Sequence, residues 1–421
     1  MSPHHVVIVG AGFGGLAVAQ ELAGANVRIT IIDQRNHHLF QPLLYQVGTA
    51  VLATSEIAWP IRHLVRKREE ITTLLGLVSG VDTQNRSVML EDGAVIAYDT
   101  LVLATGVRHA YFGHDEWEPF APGLKTLEDA TSIRRRVLLS LEHAERESDL
   151  QRRAALLTYV IVGGGPTGVE LAGAIVELVY ENLVGEFRHI DTRKARVILI
   201  EAGPRLLPSF APDLSAYAHR ALERLGVEVQ LGSAVTDCNA SGVMVGGRSI
   251  AAEVILWAAG VRASPASAWL GAPADNAGRV KVASDLTDPG HADIFVIGDT
   301  ATVNVWHGKP APGIAPAAKQ QGIHVARTIK RRLAGDSQPR VFKYRHSGDL
   351  ATIGKRSAVI DFGWCKFKGW IAWWVWGLAH IYFLIGMRNR LAVALSWLWI
   401  YMTGSRSACL ITQIEHNPKS K

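Results

Sequence analysis

The stretch VVIVGAGFGG at residues 6–15, with ITIID at residues 29–33, decides the fold. An unbroken run of Val and Ile reads as a strand buried on both faces of a parallel sheet. Gly10, Gly12 and Gly15 follow it at once in GxGxxG spacing, and a helix-compatible stretch leads to a second apolar run that closes on Asp33. Bare backbone at those positions permits a tight turn, close approach of a pyrophosphate and close packing of helix on strand, while the terminal acid accepts from a ribose hydroxyl. GxGxxG alone is a weak signal. Strand, glycines, helix, strand and acid in this order read as a dinucleotide site.

The pattern recurs in YVIVGGGPTGVE at residues 159–170, which supplies Gly163, Gly165 and Gly168, and in RVILIE at residues 196–201, which ends on Glu201. Pro166 suits the first turn of a helix, where its missing N–H costs nothing. A carboxylate at 201 would bind both adenosine ribose hydroxyls and repel a 2′-phosphate, favouring NADH over NADPH; Arg205 nearby works against that preference. Each module has a later apolar strand running into small residues, LVLATG at 101–106 and VILWAAG at 254–260. Arg35, Ala104, Thr105 and Gly106 are therefore counted with the first site and Gly260 with the second. The expected fold is α/β, with two Rossmann-like dinucleotide-binding domains.

A third apolar strand, IFVIGD at 294–299, follows the second module, so the first domain is expected to be interrupted by the second. The expected division is residues 1–115 and 278–340 for the first domain, 116–277 for the second and 341–421 for a C-terminal region. The charged stretch 142–153 reads as a solvated helix or linker.

With 421 residues and 48% hydrophobic content the chain can bury a sizeable core of two or three domains. Its net charge of +6 is spread over scattered Lys and Arg, with no long basic block. That pattern speaks against nucleic acid and fits an anionic membrane surface. Three cysteines, Cys238, Cys365 and Cys409, lie in unrelated segments, which leaves no CxxC metal site and no local dithiol, and fits a reducing compartment. No metal is expected. No secretory signal is read at the N-terminus.

Two dinucleotide sites in one chain imply hydride transfer from a nicotinamide to a flavin, with FAD expected in the first site. Without a cysteine pair beside the flavin, the next acceptor is a soluble carrier or a lipid-soluble molecule. Residues 369–402 hold GWIAWWVWGLAHIYFLIGM, then Arg388, Asn389 and Arg390, then LAVALSWLWIYM. Tryptophans flanked by cations read as a membrane-surface anchor, with a true span and ordinary core or dimer packing as competing readings.

HHLFQPLLYQVGTAVLATSEIAWPIR at 37–62 closely resembles a block of the bacterial type II NADH dehydrogenases. The likeness extends through GGGPTGVELAG, EAGPRLLP, IFVIGD, KQQG, IGKRSAV and the aromatic tail ending in LIT. The resemblance implies a monotopic, non-pumping homodimer on the cytoplasmic face of the inner membrane, passing electrons from NADH through FAD to ubiquinone or menaquinone. It implies that Asp299 meets the ribityl chain of FAD and that Ala317, Ala318, Lys319, Gln320 and Gln321 lie near the isoalloxazine, the two glutamines bordering the quinone pocket. It further implies that Lys355 helps to protonate reduced quinone. Glu170 has two readings, an acid on the first helical turn favoured by the helix dipole, or a group beside nicotinamide and flavin. Pro316 departs from the AQxAxQ common in the family and leaves the shape of the quinone entrance open. The rival functions are an NADH-dependent reductase of a soluble iron-sulfur carrier and a flavoprotein of the apoptosis-inducing type.

Overall fold

In the computed structural model, which describes residues 3–306 and 308–412, the chain forms two units. Lys421, the last residue of the expected C-terminal region, lies outside the described residues. The first unit takes residues 1–39, 58–108 and 261–347. Its central strand His4–Val9 is buried at five of six positions, as a parallel strand covered on both faces must be. The strand pairs in parallel with Val27–Asp33 on one side and Thr100–Leu103 on the other, and the sheet runs on to Ile71–Leu75 at one edge and His291–Val296 at the other. Thr287–Asp288 adds an antiparallel edge.

Two helices of this unit, Phe13–Leu22 and Ala315–Leu333, meet at Gly14 and Gly322. A Cβ on Gly322 would overlap the Gly14 carbonyl oxygen and stand 3.0 Å from the Ala17 Cβ. A glycine inside a helix costs about 1 kcal/mol relative to alanine. Here it is the only residue that lets the two backbones approach so closely.

The second unit takes residues 40–57, 109–260 and 348–421. Its parallel sheet orders Val227–Leu231, Arg196–Glu201, Thr158–Val162 and Val254–Trp257, with helix Pro166–Glu177 leaving the glycine loop. A separate antiparallel sheet, Asp349–Thr352, Ala358–Asp361 and Lys366–Gly369, packs on that helix closely enough that a Cβ on Gly173 would come 2.8 Å from the Gly354 nitrogen. Helices Trp370–Phe383 and Met387–Thr403 complete the unit.

The stretch 142–153 agrees with its reading as solvated helix or linker, being the end of helix Leu127–Arg146, a short link and the start of helix Leu150–Leu156, the second capped by the Asp149 carboxylate. Other elements differ from the sequence reading. The chain rejoins the first unit at Val261, ahead of the expected 278, and there the Ser264 N–H donates to the Gly106 carbonyl. Residues 40–57 belong to the second unit, which nothing in their composition announced. In the tail, Ala372, Trp376 and Val393 are buried while Trp370, Trp374, Leu378, Leu395 and Trp399 are exposed. Among the described residues no helix is long and apolar enough to cross a membrane. The packing reading holds for one face of the tail, and the other face is open.

Gly322→Val should lower the unfolding free energy by about 1–3 kcal/mol, the usual cost of overpacking. Urea denaturation reads this directly, and an unchanged midpoint would refute the close helix contact.

Candidate functional site

The first glycine loop turns at Gly10, whose φ of +98° favours glycine and whose absent Cβ makes room for the Ala104 carbonyl. A Cβ on Gly15 would overlap the Gly10 carbonyl. Gly12 differs, because nothing lies within 4 Å of the position its Cβ would take. Helix Phe13–Leu22 begins at this open face with no acid in its first turn, so its end amides can receive an anion. Asp33 Oδ2 accepts from the Ala11 N–H at 2.7 Å and Oδ1 from the Arg35 N–H at 2.8 Å. Burial raises its pKa, and these amides oppose the rise. The arrangement fits the pyrophosphate and ribose of a dinucleotide. His38, missed in the sequence reading, is buried and donates from Nδ1 to the Ala11 carbonyl at 2.8 Å, with its ring edge-on to Phe13.

Asp299 sits in the turn Gly298–Thr300 that follows strand His291–Val296. The Gly298 N–H donates to Gln321 Oε1 at 2.6 Å, and the Gly106 N–H donates to Thr300 Oγ1 at 2.7 Å. Thr105 lies in the same network through its hydroxyl contacts with Ser264 and Thr300. Buried Gln321 thus orients the turn that carries Asp299. Gln320 donates from Nε2 to the Arg345 carbonyl at 2.8 Å and accepts from the Arg345 N–H at 2.9 Å, a backbone-like pair. Ala318 is buried and Lys319 exposed on the same helix. Pro316 occupies its first turn, as Pro can without loss of a hydrogen bond.

In the second unit the same loop logic recurs. Gly163 has φ +112°, a Cβ on Gly168 would overlap the Gly163 carbonyl, and nothing lies within 4 Å of a Cβ on Gly165. Glu201 Oε2 accepts from the Gly164 N–H at 2.5 Å and Oε1 from the Gly203 N–H at 2.6 Å, which fixes the carboxylate at the strand end. Arg205 does not pair with it. Its guanidinium donates to the Phe210 and Pro208 carbonyls at 2.8 and 2.6 Å, so its charge is engaged within its own loop. Gly260 has φ +108° and leaves room for the Phe112 ring.

Glu170 is not on the first helical turn. It is the fifth residue of Pro166–Glu177 and buried, so a dipole interaction at an exposed helix end does not account for it. Burial pushes its carboxyl up to about 8, with the Thr352 N–H, 3.5 Å from Oε1, opposing the shift. Beside it, Tyr45 is buried with its phenol pKa raised well above the ordinary value, by burial first and then by the Glu170 charge. Gln46 Nε2 donates to the Tyr45 hydroxyl at 2.9 Å, and Trp397 Nε1 donates to Gln46 Oε1 at 2.7 Å. A chain of hydrogen bonds therefore runs from the last helix to the neighbourhood of Glu170.

Two turns further along that helix, Glu177 is also buried. Arg406 donates to its Oε2 at 3.5 Å and to the Thr49 and Ala174 carbonyls at 2.7 and 3.2 Å. The Lys355 N–H donates to Glu177 Oε1, while the Lys355 ammonium pairs with Glu181. Of the four polar residues singled out for chemistry, Glu170 and Lys355 lie in the second unit, and Gln320 and Gln321 in the first. Tyr45 and Gln46 lie among apolar residues of the block 37–62 and Arg406 among Ser and Gly beyond the last helix, so none of the three was marked as a site residue by a motif of its own.

Known proteins match this geometry along nearly the whole chain. The pyridine nucleotide-disulphide oxidoreductase family matches residues 4–322, and the NDH2 C-terminal domain matches residues 346–406. The type II NADH:quinone oxidoreductase Ndh of Mycobacterium tuberculosis is 43% identical, covering 97% of this chain and 90% of its own. NdhA of the same organism is 41% identical, covering 97% and 89%. Among solved structures, NDH2 of Plasmodium falciparum in complex with NADH has the same fold, with a TM-score of 0.90 at 19% identity over 96% of this chain and 99% of its own. The two glycine loops, the acids that close their sheets and the tail that reaches Glu177 accordingly place the chain in the type II NADH:quinone oxidoreductases, a branch of the pyridine nucleotide-disulphide oxidoreductase family.

Proposed function

We propose that this enzyme passes two electrons from NADH to a membrane quinone by way of FAD, without translocating protons, as a peripheral homodimer on the cytoplasmic face of the inner membrane in a respiratory chain. The observation that carries the reading is the presence of two dinucleotide loops in one chain, open at Gly12 and Gly165, with the buried Glu170 carboxyl on the helix that leaves the second loop. The state of the cysteines agrees with it. All three are unpaired, and Cys238 is buried with its thiol pushed up to about 11, which makes it a poor nucleophile.

In this reading the first unit, residues 1–39, 58–108 and 261–347, binds FAD, while the second unit binds NADH within residues 109–260 and docks on the membrane through helices Trp370–Phe383 and Met387–Thr403. Gly10, Gly12, Gly15, Asp33, Arg35, Ala104, Thr105, Gly106, Asp299, Ala318 and Lys319 serve FAD. Gly163, Gly165, Gly168, Glu201 and Gly260 serve NADH. The open faces at Gly12 and Gly165 support both assignments.

Bound FAD would supply the two-electron chemistry between the hydride of NADH and the quinone. The chain's own residues hold and orient. The glycine loops fix each pyrophosphate, Glu201 accepts from the adenosine ribose, and Gln321 steadies the turn bearing Asp299. NADH supplies a hydride, so quinol formation takes one further proton from the medium. Glu170 is a group suited to that need, since burial raises its carboxyl pKa to about 8. Lys355, with its ammonium on Glu181, is a second group able to hand on a proton.

Anaerobic mixing with NADH should bleach the flavin absorbance, and a quinone analogue should restore it. Bleaching that quinone leaves unchanged and an iron-sulfur protein reverses would transfer the proposal to a soluble carrier.

Because Glu201 meets the ribose hydroxyls, kcat/KM should be at least about tenfold higher for NADH than for NADPH, and Glu201→Gln should narrow the gap. Equal use of both nucleotides by the wild type would remove Glu201 from the site.

Glu170 also makes a prediction about stability. Its folded pKa of about 8 lies above the ordinary value of 4.5, so between those limits the folded chain retains a proton the unfolded chain has released. The stability held below the lower limit is therefore lost as pH rises through the upper one. Glu170→Gln should remove this slope, and its stability relative to wild type should rise by up to about 1.4 kcal/mol per pH unit across the window. Parallel stability profiles for the two proteins would show that Glu170 is ordinarily ionised in the fold.

A further inference from the structure

A cleft of 260 Å³ lies in the second unit, between helix Pro212–Leu225, the end of helix Pro166–Glu177 and the connection 353–357. Its basic side chains are Arg224, Lys355 and Arg356, and its carboxylates are Glu177 and Glu181. Both carboxylates are already engaged, Glu177 by Arg406 and Glu181 by Lys355. The remaining cations rest on aromatic faces. Arg224 lies over the Tyr217 ring at 5.9 Å and Arg356 over Tyr401 at 5.7 Å, and beyond the cleft lining the Lys368 ammonium lies over the Tyr217 ring at 5.7 Å. No carboxylate among the described residues forms an ion pair with any of the three. A guanidinium stacked on a ring keeps its edge donors free for an oxyanion. The hydroxyls of Tyr217 and Ser357, 3.1 Å apart, add neutral donors.

The surroundings select the kind of anion. Tyr401 belongs to helix Met387–Thr403, whose Leu398, Trp399 and Met402 are exposed, and Lys368 stands two residues before helix Trp370–Phe383, whose Trp370 and Trp374 are exposed. The basic rim is thus continuous with the apolar aromatic face, as phosphate groups and acyl chains adjoin at a bilayer surface.

We propose that this cleft binds the phosphodiester headgroup of an anionic phospholipid, gripped by Arg224 and Arg356, with Lys368 on the Tyr217 ring adding positive charge nearby. The site rests on the membrane-docking reading above, and goes beyond it in naming a saturable position on the protein. An attraction spread over the whole surface would have neither stoichiometry nor headgroup preference.

The test uses the FAD-loaded enzyme, sub-micellar dihexanoyl phosphatidylglycerol in calorimetry, and flotation on phosphatidylcholine vesicles with and without phosphatidylglycerol. The wild type should bind one short-chain phosphatidylglycerol per chain and float better on the anionic vesicles. Arg224→Gln combined with Arg356→Gln should weaken that binding roughly 25-fold, each cation at an anionic surface contributing about fivefold. The same variant should retain its flavin and still float on pure phosphatidylcholine through its exposed aromatic residues, which shows that it is folded. A charge-matched control, Arg66→Gln with Lys67→Gln, should keep the calorimetric binding. Equal loss in the control would mean diffuse charge and overturn the site, as would undiminished binding in the cleft variant. Inorganic phosphate binding as tightly as phosphatidylglycerol would overturn the lipid assignment. Flotation of the wild type on phosphatidylcholine without saturable phosphatidylglycerol binding would overturn the site alone, whereas flotation on neither vesicle would sink the docking reading and the site with it.

Discussion

A buried carboxylate is tolerated only with a partner, and Glu177 is where that constraint organises the second unit. Its helix begins at the glycine loop of the second dinucleotide module and ends against the antiparallel sheet. The partner, Arg406, lies 229 residues further along the chain and also holds the carbonyls of Thr49 and Ala174. One guanidinium therefore joins the nucleotide helix, the segment 40–57 and the end of the tail. Burial lowers the Arg406 pKa and raises that of Glu177, while each charge opposes the shift of the other, so neither group is well placed alone. Cutting the chain before Gly369 would not simply remove a surface patch, because it would leave Glu177 buried without that cation.

The dinucleotide loops were legible because their requirements are local. Gly15 and Gly168 are fixed by the carbonyls of Gly10 and Gly163 in their own loops, and strand, turn, helix and second strand follow one another along the chain at each site. Arg406 was not legible in the same way. An arginine among Ser and Gly after an apolar helix looks like a solvated end, and only the distant Glu177 shows why it is buried. The segment 40–57 hid for a similar reason. Its resemblance to a family block was evident, but the reason Gln46 stands there is the Trp397 indole, 351 residues away.

The glutamines show how a resemblance can locate a residue without giving its work. Gln320 and Gln321 are adjacent, yet they face different duties. One pairs with the Arg345 backbone as a strand would, and the other accepts from Gly298 beneath the Asp299 turn. Both are side-chain amides satisfying backbone groups, which is a common way for a loop to be held where no ladder reaches it. Gln321 thereby bears on the position of Asp299. At Glu170 the dipole reading does not hold, because the residue is the fifth of its helix and buried.

The tail shows what composition hides and periodicity keeps. Its tryptophans count alike in any hydropathy sum, but Trp376 is buried and Trp397 hydrogen-bonds inward, whereas Trp370, Trp374 and Trp399 are exposed. In the first tail helix the exposed residues 370, 374, 378 and 382 recur every fourth position, and in the second the exposed residues 391, 395, 398 and 402 recur at three or four. The first helix has 14 residues, roughly 21 Å of rise, against a hydrocarbon core of about 30 Å. Burial of His380 pushes its pKa down to about 4, and its Nδ1 donates to the Trp376 carbonyl, so the inward face stays uncharged near neutrality. The helices are therefore long enough to cover a core and expose a stripe, and the indoles divide between those two tasks according to position on the turn.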